Sequence, residues 1–366
     1  MTYQLRVCDL RTDDDLDVLP VEGVQYDDYI GRTGALRASV PIPTRSLAQR
    51  AKRALLTGRT MLYLERSTAF GTDIVWAGIL WGREPAMSER RLTMQIQAAC
   101  IESYLREHRR AFTTITADDV DQFAIVRGLL GYVQETPGGD LGITADPAQT
   151  SGVARDREYS RYDQPYIGEL IDQLAACEDG FEWRVAVYRD DAGVRHKELR
   201  LGYPKLVTTT TDVVLDSPGP VLSYSLPEDA TTVANAWQSR GASINQNLAE
   251  ESVPLLTELL TAPEDITDGW PALDGTSDYT TVEDPLTLVE HAAADLARAR
   301  RPVVIPTVAY ATTDAPQPQL GGYVRLRITD DLHPDTLSAR YRVVGLQVTP
   351  EQRGTAETTQ LILEAA

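Results

Sequence analysis

The sequence predicts a mainly β chain of the α+β class, in which two β-rich portions enclose a compact α+β insert. Three observations point there. Short apolar runs divided by turn residues fill residues 1–112 and much of 302–366. Between 113 and 217 the spacing of apolar positions becomes helical in two stretches. The turn-rich Ser217-Pro218-Gly219-Pro220 then marks a boundary, after which strand character returns.

In the first portion, residues 5–9, 23–30 and 35–41 read as short strands, which suggests a small barrel or sandwich. A helix over 45–56 carries Leu47, Ala51, Ala54 and Leu55 on one side. The most informative stretch follows, from Arg59 to Pro85. Its apolar runs 61–65 and 74–81 flank the turn residues Ser67, Thr68, Gly71 and Thr72, which predicts an antiparallel hairpin. Alternation puts Ile74, Trp76 and Leu80 on one face, and Val75, Ala77, Ile79 and Trp81 on the other. A solvated antiparallel sheet is apolar on one face only. Here both faces need a cover, supplied by another sheet, another domain or another copy of the chain. Trp76, Ile79 and Trp81 are therefore the candidate residues for packing between barrels or between subunits.

In the insert, Thr116-Ala117-Asp118-Asp119 has the form of a capping box with Asp in place of Glu, ahead of a helix built on Val120, Phe123, Val126, Leu129 and Leu130. A second helix opens at Asp163, with Pro165 in its first turn and Ile167, Leu170, Ile171 and Leu174 inside. Phe181, Trp183, Val185 and Val187 then alternate with Glu182, Arg184 and Tyr188. The turn 190–193 leads this strand into a partner at 197–203. Beyond the boundary, 222–226 and 233–238 read as strands, while 244–284 gives no clear pattern. A helix from 285 to 301 ends at Pro302, and 303–310, 324–328, 341–348 and 358–363 close the chain as strands. The expected domains are 1–112, 113–217, 218–243 together with 302–366, and a peripheral segment 244–301.

Composition removes several function classes. The net charge of −19 and pI near 4.6 oppose a grip on nucleic acid, which needs cations on the phosphates. An acidic wall instead lets DNA slide past it. No run approaches the ~18 apolar residues of a membrane span, and the N-terminus lacks a signal-peptide pattern. Cys8, Cys100 and Cys177 are far apart and fit neither a disulfide framework nor a zinc ribbon, which agrees with assembly in a reducing cytoplasm. The four histidines have no ligand spacing, and neither a nucleophile elbow nor a Walker loop is present. Glu264-Asp265 and Asp268-Gly269 lack the alternate-position ligands of a calcium loop. The expectation is a non-enzymatic protein with no catalytic residue, metal or cofactor.

The order of several motifs resembles a known family. Cys8-Asp9-Leu10-Arg11-Thr12 is followed by Val21-Glu22-Gly23-Val24, Ser39-Val40-Pro41, Leu62-Tyr63-Leu64-Glu65-Arg66 and Val75-Trp76-Ala77-Gly78-Ile79-Leu80-Trp81. Further on come Ser151-Gly152-Val153-Ala154-Arg155-Asp156, Gly180-Phe181-Glu182-Trp183-Arg184-Val185, Leu199-Arg200-Leu201-Gly202-Tyr203-Pro204 and Pro227-Glu228-Asp229-Ala230. Over most of residues 5–240 this series resembles minor tail proteins of long-tailed phages of actinobacteria, of the tail-tip or baseplate hub family. The resemblance implies a homotrimer with two small tube-type β-barrels per subunit, forming a pseudo-sixfold ring at the virion tail tip. Its implied partners are the distal tail protein ring, the tape-measure protein C-terminus and tip spike or fibre proteins, with DNA only in transit through the channel. In many relatives a peptidoglycan-cutting domain follows the hub; with a last strand reaching almost to Ala366, none is expected here. The other reading is a tail protein that binds host cell-wall carbohydrate or a receptor, through aromatics such as Trp270 and Tyr279.

Overall fold

The computed structural model describes residues 2–68, 71–88, 90–244, 253–280, 282, 285–312, 317–349, 351 and 356–366. The first β-rich portion folds as β1 (Thr2–Asp9), β2 (Asp15–Pro20), β3 (Glu22–Tyr29), β4 (Ala35–Pro41), helix α1 (Arg45–Ala54), β5 (Thr60–Thr68), β6 (Gly71–Ser88) and β7 (Arg91–Ala99). Thr44 caps α1 by accepting the Leu47 N–H at 3.2 Å, and the helix buries Ala51 and Ala54. The strands run in space as β2, β1, β5, β6, β7, β4, β3.

β3 carries the sheet onward. Its residues Tyr26–Tyr29 pair antiparallel with Val348–Gly345 in the strand Leu337–Thr349, near the other end of the chain. Beyond it lie Thr358–Ala365, Thr307–Ala311 and β14 (Val221–Ser225), while Tyr323–Ile328 also pairs with Leu337–Thr349 and, in parallel, with β13 (Asp212–Ser217). The mainly β, α+β class is therefore what the chain adopts. The two strand groups are joined edge to edge in one 13-stranded sheet, and no ladder among the described residues closes either group on itself. One apolar core serves both: Leu5, Leu36, Leu62 and Trp76 lie in the same cluster as Tyr310, Val324, Val343 and Leu361.

The insert contains β8 (Ile115–Asp121), α2 (Gln122–Glu135), β9 (Ile143–Ala145), β10 (Ala154–Tyr159), α3 (Ile167–Ala175), β11 (Glu182–Arg189) and β12 (Arg195–Gly202). Residues 116–119, expected as a helix cap, lie in β8 and pair with β10. The cap is Asp121, which accepts the Phe123 N–H at 2.9 Å and also the N–H groups of Ser151 and Gly152. That wider set of partners is long-range, so the local pattern misplaced the start by a few residues. Residues 212–217, which fall within the expected insert, form β13 and belong to the large sheet.

The chain divides into two compact units: residues 1–224 with 307–366, and residues 225–306. In the second, the strand Ala236–Ile244 pairs with Val253–Leu256, Leu260–Thr261 and Asp274–Asp278. This strand was expected in a second barrel with 302–366; its ladder partners all come from its own unit. The helix Pro285–Ala299 packs on it with Leu288, Ala292 and Leu296 buried.

Candidate functional site: the hairpin, its seam and the charged surfaces

The β5–β6 hairpin is apolar on both faces, and its own chain covers both. Trp76 (3% exposed) and Leu80 enter the core of the large sheet. Ile79 (0%), Met61, Tyr63 and Ala77 enter a second core with Phe123, Leu129, Leu170 and Trp183 of the insert. Trp81 packs against that second core, donates its indole N–H to Ser103 Oγ at 2.9 Å and stacks on His108 with ring centroids 4.0 Å apart. The burial of Trp76, Ile79 and Trp81 thus needs no second copy: what covers the second face is the insert.

The assignment of faces also differs at one point. Leu64 pairs with Trp76 and Glu65 with Ile74, so Val75 is an extra residue in a β-bulge. The bulge reverses the alternation, moving Ile74 to the Ile79 side and Val75 to the Trp76 side. A second bulge leaves Trp81 without a partner on β7 and aims it at Ser103 and His108.

Where β11 meets the large sheet, the joint is ionic. Arg184 pairs with Asp28 at 2.6 Å, and Glu102 (4% exposed) accepts the Val185 N–H at 2.7 Å. Burial pushes both the Asp28 and the Glu102 carboxyls above the usual carboxylate range; Arg184 pulls against this in both, while the Asp28 charge adds to the rise at Glu102 and Asp27 adds to that at Asp28. Burial disfavours the Arg184 charge, but the two carboxylates hold its pKa up. Next along β11, Glu182 receives Arg342 at 2.5 and 2.7 Å, and Arg342 (2% exposed) also reaches Glu364 at 2.6 Å and the Leu206 carbonyl at 2.7 Å. Glu182 and Arg184, which alternate with Trp183 and Val185, are turned toward charged partners on the sheet. They clamp the insert to the sheet. Alternation alone could not show this, because a solvated face and an ion-paired face carry the same residues.

A cleft of about 480 Å³ opens above this seam, lined among others by Asp28, Arg66, Asp73, Trp76, Arg184 and Tyr188. Its charges are mixed, and no group of three or more His, Cys, Asp or Glu among the described residues is placed to hold a metal ion. Cys8 is fully buried with its thiol on Asp15, and burial pushes its pKa up, as it does strongly for Cys100; neither supplies a thiolate. His196 and His333 each contact an aspartate in a surface turn, Asp190 at 2.8 Å and Asp330 at 3.1 Å. None of these sets a nucleophile beside a base. Tyr279 donates to Asp295 at 2.7 Å and stacks on His291, so it is occupied within its own unit.

Charge is unevenly distributed. Residues 225–306 hold 14 Asp and Glu against 4 Lys and Arg, a net −10, while the larger unit carries the remaining −9. No helix among the described residues is long and apolar enough to cross a membrane.

No protein family profile and no curated protein matches the chain. Solved structures do match its fold. A tail protein from Neisseria meningitidis aligns over 99% of this chain and 96% of its own, with a TM-score of 0.60 and 12% identity. The 43 kDa tail protein of prophage MuSo2 from Shewanella oneidensis gives 0.61 over 99% and 98%, with 7% identity. The prophage tail protein gp18 from Listeria monocytogenes gives 0.53 over 99% and 94%, with 13% identity. At such identities the likeness is one of fold, and it extends over nearly the whole length of both partners.

Proposed function

We propose that this protein is a structural component of a phage tail, acting as the hub of the tail tip. The observation that carries the reading is the end-to-end fold likeness to three tail proteins, with no large region of the chain left over for another activity. In this reading three copies form a ring, each supplying its two strand groups. Six similar β units then present pseudo-sixfold symmetry to the tail tube and distal tail protein, and threefold symmetry to a spike or fibre. The tape-measure protein C-terminus would meet the same ring, and DNA would pass through it without being held. The net charge of −19 supports that last point, since like charge keeps the phosphates from adhering. The role in this reading is non-enzymatic, which the fold likeness to tail proteins supports.

Mass measurement on the purified chain tests the assembly. A trimer of about 121 kDa, three times 40.4 kDa, is expected, together with threefold symmetry around a hole in images of the particle. A stable monomer at micromolar concentration, absent from purified tails, overturns the reading.

A further inference from the structure

The helix Pro285–Ala299 is apolar along two separate stripes. Leu288, Ala292 and Leu296 face inward and are buried against the sheet of their own unit. About a third of a turn away, Leu286 (76% exposed), Val289 (40%), Ala293 and Ala297 lie in the open, at spacings of three, four and four residues. A surface helix normally has one apolar stripe, toward its core, and polar residues elsewhere. This one keeps a second stripe in water, bordered by the exposed Glu290 and, two turns on, by the exposed Arg298. The same unit also exposes Leu256, Leu259 and Ile266, at 52%, 56% and 48%, with exposed Glu258, Glu264 and Asp268 close by in sequence.

We propose that the unit 225–306 is a docking module, and that the outer stripe of its helix receives a basic polypeptide segment carrying aliphatic side chains. Both properties of the surface select that occupant. The net charge of −10 within this unit repels a second copy presenting the same face, and likewise DNA and anionic lipid. Lys and Arg flanking an apolar stripe complement it. The most exposed large apolar residues of the unit are aliphatic among the described residues, which suits side-chain packing. The inference rests on the surface of this unit and not on the tail reading.

The test uses the full-length chain and fluorescence anisotropy with a labelled amphipathic helical peptide of leucine and lysine. Its counterpart with glutamate in place of lysine serves as the charge control. The leucine–lysine peptide is expected to bind, more weakly as salt rises, and the glutamate peptide not at all. Leu286→Gln with Val289→Gln keeps good helix formers and is expected to weaken binding at least ~10-fold, or about 1.4 kcal/mol. Leu332→Gln, on the larger unit, is expected to change nothing. Glu290→Lys leaves the apolar stripe intact and is expected to weaken binding by itself, which separates loss of the surface from loss of the fold. Equal binding by the double variant, or no binding by the unaltered chain, overturns the proposal. So does concentration-dependent self-association that the double variant abolishes, which assigns the stripe to a second copy. The trimer measurement is independent of every one of these outcomes.

Discussion

Individual charged residues do more structural work here than the apolar pattern implied. Arg342 is 2% exposed and bridges Glu182 of the insert to Glu364 of the last strand. Removing one member of a buried ion-pair network leaves its partners uncompensated, at a cost of about 3–5 kcal/mol. Arg342→Met is expected to lose that much in urea unfolding, whereas Arg327→Met, whose partner Asp216 is exposed, is expected to lose less than about 1 kcal/mol. Glu102 gives a prediction in pH. Its folded pKa is raised by burial, so the folded state takes up a proton before the unfolded chain does. The burial cost is present in full at pH above the folded value. It is relieved as pH falls through the folded value toward the ordinary glutamate value of about 4.3. Melting curves of the wild type and Glu102→Gln, taken from alkaline pH down to the ordinary glutamate value, should therefore show wild type gaining on the variant as pH falls. A constant difference would remove the account. In the sequence, Arg184 and Glu182 were legible as one face of a strand, but what that face meets was not.

Among the elements, the β5–β6 hairpin was the most legible from sequence, and its two-sided apolar pattern did signal a double cover. The identity of the cover was hidden, because the insert that supplies it lies dozens of residues further along the chain. The bulges were hidden as well: an extra residue is a property of the pairing and leaves no mark in one strand alone. Gly78 marks the tightest point of this element. A Cβ there would fall 2.2 Å from the Ala99 carbonyl oxygen and 2.4 Å from the Trp76 ring. Gly78→Ala is expected to destabilise the fold by about 1–3 kcal/mol in thermal or denaturant unfolding. Trp81→Phe keeps most of the packing but removes the bond to Ser103, and is expected to cost about 1 kcal/mol. The start of α2 shows the opposite failure. Local cap chemistry at 116–119 was plausible, yet pairing with β10 overrode it.

For the whole molecule, two β-rich portions around an insert were legible, while their fusion into one sheet was not. Fusion depends on β3 meeting Leu337–Thr349, a register between distant segments that periodicity cannot supply. Of the second unit, the strand at 233–238 and the helix at 285–301 were legible while 244–284 was not, because the strands there are only two to five residues long. Its removal makes a further prediction. The segment leaves the larger unit after Tyr224 and returns at Thr307, on strands that are neighbours in the sheet. Replacing 225–306 by a short glycine-serine turn is expected to leave a folded, cooperatively melting protein, since both ends already lie side by side. Aggregation or loss of cooperative melting in that deletion variant would show that the larger unit depends on the segment removed.

The bond from Tyr3 to Glu357 spans 354 positions, and the β3 ladder spans nearly as many. During synthesis, then, the opening strands leave the ribosome with one edge unpaired and wait for almost the entire chain before that edge is matched. Such a wait exposes hydrogen-bonding groups to other nascent copies. A premature stop a few codons before Leu337 would accordingly harm more than the missing tail: it would leave β3 without its final neighbour.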